Sequence, residues 1–246
     1  MSIFQKIKDF FYPPHYTCIF CNCEIDEELD ICPDCAKHLP YLDGHLCLRC
    51  GQKLHDESDY CDQCKSNPDP WYFDACRSVF VYTYPVTRAI RMMKYDNAKY
   101  LFDTLSKLVT KLFEDNEWSA DIIVPVPLHP KRTKSRGYNQ AELLAKDLST
   151  TYNIPMDTEH LVRVEDTPSQ TMYNTKNRKE NVANAFDLTI RNIYRNKIVL
   201  LIDDVITSGA TIDACAKLLK EKGKAKQVLA ITLAHSPVRD TSQKIK

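Results

Sequence analysis

The sequence predicts an α/β protein: a parallel sheet with helices on both faces, preceded by a small double cysteine-knuckle module. Three observations carry this. Ten of the 11 cysteines lie before residue 77. After that point apolar strand-like runs alternate with amphipathic helix-like ones, the pattern of strands buried on both sides by crossover helices. The charge divides at the same place. Residues 1–76 hold 6 Lys and Arg against 14 Asp and Glu, and residues 77–246 hold 27 against 19. A net charge of zero therefore hides an acidic module and a basic one. The basic one favours polyanions such as nucleic acid or nucleotide phosphates; the plainer reading is that the halves attract each other. We assign residues 1–17 to an N-terminal amphipathic segment, 18–70 to the knuckles and 71–246 to the α/β domain.

In "MSIFQKIKDFFYPP", Ile3, Phe4, Ile7, Phe10 and Phe11 recur at helical spacing. The apolar runs are too short and too charged for a secretory signal. A terminal helix packed on its own protein is expected, ahead of one lying on a membrane or a partner. No run reaches the length of a membrane span. A soluble, cytoplasmic protein is expected.

Cys18, Cys21, Cys32 and Cys35 read C-x2-C-x10-C-x2-C, and Cys47, Cys50, Cys61 and Cys64 repeat the pattern 29 residues on. This is an internal duplication. Each C-x-x-C turn aims two thiolates at one point, and two turns complete a tetrahedral site for zinc. Two zinc ions follow. Sequential pairing fits the duplication, and a cross-braced pairing of first with third knuckle stays open. Four thiolates leave no open position, so both zincs are expected to be structural. Metal binding would supply on the order of 10 kcal/mol per site to a stretch with few large apolar residues. A disulfide framework is the competing reading, and an intracellular setting argues against it. Cys23 competes with Cys21 but breaks the repeat. Cys76 and Cys215 have no partner pattern and read as buried small residues. Gly51 follows the third knuckle, where a backbone amide must approach a sulfur.

In the second module residues 78–84 are β-rich, and 86–95 and 100–115 read as helices. Residues 120–128 form a buried strand, 139–152 a helix, 197–205 a strand, 211–223 a helix and 225–235 a strand. Ligands bind outside the carboxyl ends of such strands. At one of these ends stands "KIVLLIDDVITSGAT" (197–211). Asp203 and Asp204 close an apolar strand there. Thr207, Ser208, Gly209, Ala210 and Thr211 form the turn into the next helix, which is expected to start near Thr211. Small side chains leave backbone N–H groups free to surround an anion, and the helix dipole adds to them. Carboxylates at the strand end can accept from adjacent sugar hydroxyls. The stretch suits a phosphate joined to a diol, as in ribose 5-phosphate. It is not a P-loop, since G-K-[ST] is absent. The plain alternative is an ordinary strand-turn-helix.

"VLLIDDVITSGAT" resembles the phosphoribosyl diphosphate signature of type I phosphoribosyltransferases. The resemblance implies that Asp203 and Asp204, the catalytic candidates, bind the ribose hydroxyls. It implies that residues 207–211 cradle the 5-phosphate and that Mg²⁺ accompanies the diphosphate. "DIIVPVPLHPKRTKSRGYNQAELLA" ends a second strand at a basic loop holding Lys131, Arg132, Lys134 and Arg136. Such a loop suits a diphosphate, and a solvated charged loop is its competitor. Residues 163–186 are long and polar. Arg163, Gln170, Arg178 and Asn181 there either line the site or belong to a solvated linker.

The knuckles, "VPVPLHPKR", "SRGYNQ" and "IDDVITSGAT" together resemble the ComF family of bacterial competence proteins over nearly the whole chain after residue 17. This implies a cytoplasmic role in DNA uptake during natural transformation. It implies association with the helicase-like translocase of the uptake machinery, at the inner face of the membrane, and handling of single-stranded DNA. Two other functions compete: an active transferase moving phosphoribose to a nucleobase or other acceptor, and a non-catalytic interaction protein with a vestigial pocket. The acceptor side has no clear base-reading constellation. Trp71, Tyr72 and Phe73 could stack on a base, but a core cluster at the module boundary is favoured.

Overall fold

In the computed structural model the described residues are 17–25, 30–67, 71–95, 98, 100–165 and 184–237. They fall into two compact units, residues 1–39 and 40–246. The amphipathic segment expected before residue 17 lies outside the described residues. The first unit holds one cysteine repeat. A bridge between Thr17 and Glu24 folds back its first knuckle, and α1 (Pro33–His38) starts on Cys32, whose Sγ accepts from the Cys35 N–H at 3.3 Å.

The second unit begins with the other repeat and its one-turn helix α2 (Asp62–Lys65). Then follow β1 (Ala75–Val81), α3 (Val86–Tyr95), α4 (Leu101–Asp115), β2 (Ile122–Pro125), α5 (Pro130–Arg136) and α6 (Gln140–Tyr152). A hairpin of β3 (Leu161–Arg163) and β4 (Phe186–Leu188) precedes β5 (Ile198–Ile206), α7 (Ala210–Glu221) and β6 (Gln227–His235). The main sheet runs β1-β6-β5-β2 with every neighbouring pair parallel. Its central strands β5 and β6 are nearly continuous apolar runs, as burial on both faces requires.

Alternate strand residues go to opposite faces. Val124, Val199, Leu201, Val228 and Ala230 pack with Ile212, Cys215 and Leu219 of α7. Helices α4 and α6 pack on each other and on the same sheet. Cys76 and Cys215 are fully buried, as their lack of a partner pattern predicts. Cys47, Cys50 and Cys61 belong to the α7-side core, together with Trp71 and Phe73. The sequence places the end of the knuckle module after residue 70; the compact units divide at 39/40, between the two copies of the repeat.

Residues 130–136 depart from expectation. They form a short helix where a basic loop is predicted. Pro130 stands at the first helical position, where its missing N–H costs nothing. The His129 ring caps the Lys131 N–H at 3.3 Å, and Gly137 closes the helix. No described helix is long and apolar enough to cross a membrane.

Candidate functional site

The eight repeat cysteines form two groups, Cys18–Cys21–Cys32–Cys35 and Cys47–Cys50–Cys61–Cys64, with all sulfurs of a group within 4.8 Å of one another. Pairing is therefore sequential, and the cross-braced alternative is set aside. The fit to zinc can be tested. A tetrahedron with Zn–S near 2.3 Å has S···S edges of about 3.8 Å. Cys21 and Cys32 sulfurs stand 3.7 Å apart, and Cys50 and Cys61 sulfurs 3.6 Å. These are tetrahedral edges with no disulfide between them, and none of the eleven cysteines is in a disulfide. Elemental analysis of purified protein is expected to give two zinc ions per chain; none or one would contradict the two-site arrangement.

Asp203 and Asp204 lie inside β5, which runs on to Ile206, one residue past the expected strand end. Being adjacent in a strand, they diverge. Asp203 follows Leu201 toward the α7 side, and its Oδ1 accepts the Asp204 N–H at 2.8 Å. Asp204 turns to α3, where its Oδ1 accepts from Lys94 Nζ at 2.9 Å. Burial works against the Lys94 ammonium, yet the Asp204 charge and hydrogen bond, with Asp203 behind them, hold its pKa above the ordinary value. Burial pushes the Asp203 carboxyl up to about 7, and the Asp204 charge pushes the same way, against the Asp204 N–H, Lys94 and Arg163.

The raised carboxyl has a consequence for stability. The folded protein keeps a proton on Asp203 that the unfolded chain releases near pH 4, so this group's contribution falls as pH rises from there through about 7. Asp203→Asn is expected to stabilise the fold at pH 8 by on the order of 1–3 kcal/mol and to do much less at pH 5. Thermal melts at the two pH values check this. An equal shift at both would mean that the carboxyl is not held protonated.

Gly209 caps α7 in the left-handed conformation, φ 77°. The helix begins at Ala210, one residue before the expected Thr211. Thr207 is exposed, Ser208 and Thr211 are half-buried, and Gly209 and Ala210 are buried. A side chain on Gly209 would put its Cβ 3.2 Å from Cη2 and Cζ3 of Trp71. The close neighbour of this glycine is therefore an indole. Trp71 and Phe73 are buried, ring centroids 5.3 Å apart, which bears out the core reading of that cluster. A recess lined by Cys50, Gln63, Trp71, Thr207, Ser208 and His235 runs between the second repeat and this turn.

Lys131, Arg132, Lys134 and Arg136 are carried by α5, at the carboxyl end of β2. The Val126 N–H bonds Ile202 O at 2.8 Å, so β2 leaves the sheet beside the residues just before Asp203. The Arg136 guanidinium lies 5.6 Å over the Tyr95 ring, and the Tyr138 hydroxyl donates to Met93 O at 2.5 Å. These contacts tie the far end of α5 to the turn of α3 that carries Lys94. Arg163 sits in β3 and acts on Asp203 through its charge. Gln170, Arg178 and Asn181 lie outside the described residues.

Lys94 is the functional candidate that sequence reasoning missed. The signal was present: Val86, Ile90 and Met93 mark the buried face of α3, and Lys94 falls four residues after Ile90 on that face. A cation there needs a buried partner. Among the described residues, the groups of three or more His, Cys, Asp or Glu within reach of one ion are the two cysteine sets. Asp203 and Asp204 belong to neither set.

Residues 7–65 match the double zinc ribbon domain family, and residues 94–244 match the phosphoribosyl transferase domain family. The Haemophilus influenzae protein named competence protein F is 35% identical over 148 residues, which is 58% of this chain and 65% of that one. The Escherichia coli K12 protein named DNA utilization protein YhgH is 30% identical over 213 residues, 85% of this chain and 86% of that one. The Bacillus subtilis competence protein ComFC is 29% identical over 170 residues, 65% of this chain and 64% of that one. The match thus spans just under two thirds of the first and third relatives and most of the second.

Proposed function

Because the chain belongs to the ComF family of competence and DNA utilization proteins, a double zinc ribbon followed by a phosphoribosyl transferase domain, we propose that it acts in the cytoplasm in DNA uptake during natural transformation and binds phosphoribosyl diphosphate. The observation that carries the ligand is the sequence of features along one chain segment. Two half-buried carboxylates lie in the last pleats of a central strand, and a left-handed glycine turn leads from its end at Ile206 into a helix N-terminus. The ribose hydroxyls donate to Asp203 and Asp204. The N–H groups of 207–211 donate to the 5-phosphate, joined by the hydroxyls of Thr207, Ser208 and Thr211, with the α7 dipole behind them. Lys131, Arg132 and Arg136 face the diphosphate as a group of cations. Mg²⁺ screens the diphosphate's charge when bound with it.

Calorimetry with the intact ligand, ribose 5-phosphate and pyrophosphate tests this reading. The intact ligand should bind more tightly than either fragment, because it alone engages both ends of the site. Equal affinity for pyrophosphate and the whole ligand would remove the ribose from the account. Release of pyrophosphate on adding nucleobases would favour an active transferase.

The role in uptake brings the helicase-like translocase and single-stranded DNA as partners. The cations of α5, of which Lys131 and Lys134 are exposed, support the second of these. Replacing Lys131, Arg132, Lys134 and Arg136 with Gln should weaken single-stranded DNA binding and flatten its dependence on salt, by about 0.7 in the log–log slope for each phosphate no longer neutralised. An unchanged slope in a salt series would place the DNA elsewhere.

A further inference from the structure

The second of the two zinc ribbon repeats is wired into the turn that follows β5. The wiring starts in its first knuckle. Arg49, between Cys47 and Cys50, donates from Nη1 to Phe73 O at 2.7 Å. The Arg49 carbonyl accepts the Cys76 N–H at 2.7 Å. The knuckle thereby grips both ends of the segment 73–76. Phe73 lies against Trp71, and the indole covers Gly209 at the start of α7. Two shorter links run beside this path. The Tyr72 N–H donates to Asp213 Oδ1 in the first turn of α7 at 2.6 Å. Gln63, between Cys61 and Cys64, reaches from Nε2 to Ser208 O at 3.5 Å, the long limit for a hydrogen bond.

We propose that Trp71 is a positioning residue for the turn 207–209, and that through it the second four-cysteine knuckle sets the geometry of the phosphate site. This rests on the reading of that turn as the 5-phosphate cradle. The physical argument is one of pre-organisation. A left-handed turn with several N–H groups converging on an anion is only as good as the surroundings that hold it. Here the surroundings are an indole, and the indole is fixed by a knuckle that a metal closes. A loosened knuckle releases Phe73 and Trp71, and the turn then has to be ordered by the ligand itself. Linkage makes the effect reciprocal: a ligand that needs the ordered turn also makes the knuckle harder to open.

The test uses the full chain and follows zinc release to a coloured chelator, with and without phosphoribosyl diphosphate and Mg²⁺. The ligand should slow one of the two releases by about tenfold and leave the other unchanged. Trp71→Leu should remove that protection and weaken calorimetric affinity by about tenfold, and Trp71→Phe should recover most of both. Gln63→Ala, at the exposed rim, should cost about twofold. A probe that leaves the turn untouched is Trp71 emission in a Trp118→Phe background, since the chain has 2 tryptophans. That emission should shift as the ligand saturates. If the ligand binds by calorimetry while both zincs leave at unchanged rates and Trp71 emission stays still, the coupling is wrong and the ligand reading stands. If no binding heat appears under any condition, the ligand reading fails and takes the coupling with it.

Discussion

Gly51→Val is expected to destabilise the second unit by about 3–5 kcal/mol and to empty the second zinc site, although residue 51 is not a ligand. Gly51 has φ 75°, a conformation that costs a branched residue about 1–3 kcal/mol. A Cβ there would also stand 2.5 Å from Cys76 O and 3.3 Å from its carbonyl carbon. That obstacle is backbone and cannot rotate away. Cys76 is anchored by its N–H to Arg49 O and lies in β1, paired with Ala230 of β6. Relief would require shifting the strand, which adds a comparable cost. Against a total stability of about 5–15 kcal/mol, this is a large fraction. Urea unfolding and zinc content measured on the same preparation check it. A variant with two zincs and an unchanged midpoint would show that the knuckle and β1 can separate freely.

The second large effect concerns Asp204. Asp204→Ala should weaken phosphoribosyl diphosphate by roughly 10- to 100-fold, since an ionised acceptor bonded to a hydroxyl contributes about 1.5–3 kcal/mol. Stability should fall too. A carboxylate that did no more than face a cleft could be removed with the fold intact. In the structure Asp204 neutralises Lys94, whose side chain is 24% exposed, so the alanine leaves a partly buried ammonium unpaired. A cost of about 1–2 kcal/mol follows. Asp204→Ala with Lys94→Met should recover the stability and leave the affinity low. Melting curves and calorimetry on the single and double variants separate the two effects. Recovery of affinity in the double variant would mean that Asp204 matters only as the partner of Lys94.

The parts of this fold that were legible in the sequence are those with a strong period. The helix 86–95 stands where its apolar spacing puts it, and 100–115 and 139–152 each lose one residue at the start. The buried strands were equally visible, because β5 and β6 are continuous apolar runs. The hairpin β3–β4 was not. Its strands have three residues each and are joined across a polar stretch, so no period develops. Helix α5 was hidden for a related reason: its seven residues bury none of their side chains, and only the cap and Pro130 announce it.

The metal groups were legible down to the residue, because a C-x-x-C turn is a local geometry. That the second repeat meets the sheet was not, because that depends on Arg49, Gly51 and Trp71 meeting residues far along the chain. The sequence flagged Gly51 for a backbone amide near a sulfur; its own N–H donates to Cys47 O, and a side chain there would meet the Cys76 carbonyl, which the sequence did not announce. Gly209→Val is expected to abolish binding on either view, but the sequence points to a clash with the phosphate, and the structure has Trp71 in the way. Lys94 went unnoticed because the meaning of a lysine on a buried helix face is supplied by an aspartate 110 residues away.

One measurement bears most directly on the central claim. The wild-type chain and Asp203→Asn, Asp204→Asn are titrated calorimetrically with phosphoribosyl diphosphate, with Mg²⁺ present and absent. The account predicts Mg²⁺-dependent binding to the wild type. Each amide variant should bind roughly tenfold or more weakly, and the double variant weaker still but short of additive, since both acids hold one ring. Equal affinity in all four proteins, with circular dichroism unchanged, would contradict it: the paired carboxylates of β5 would then serve something other than a ribose.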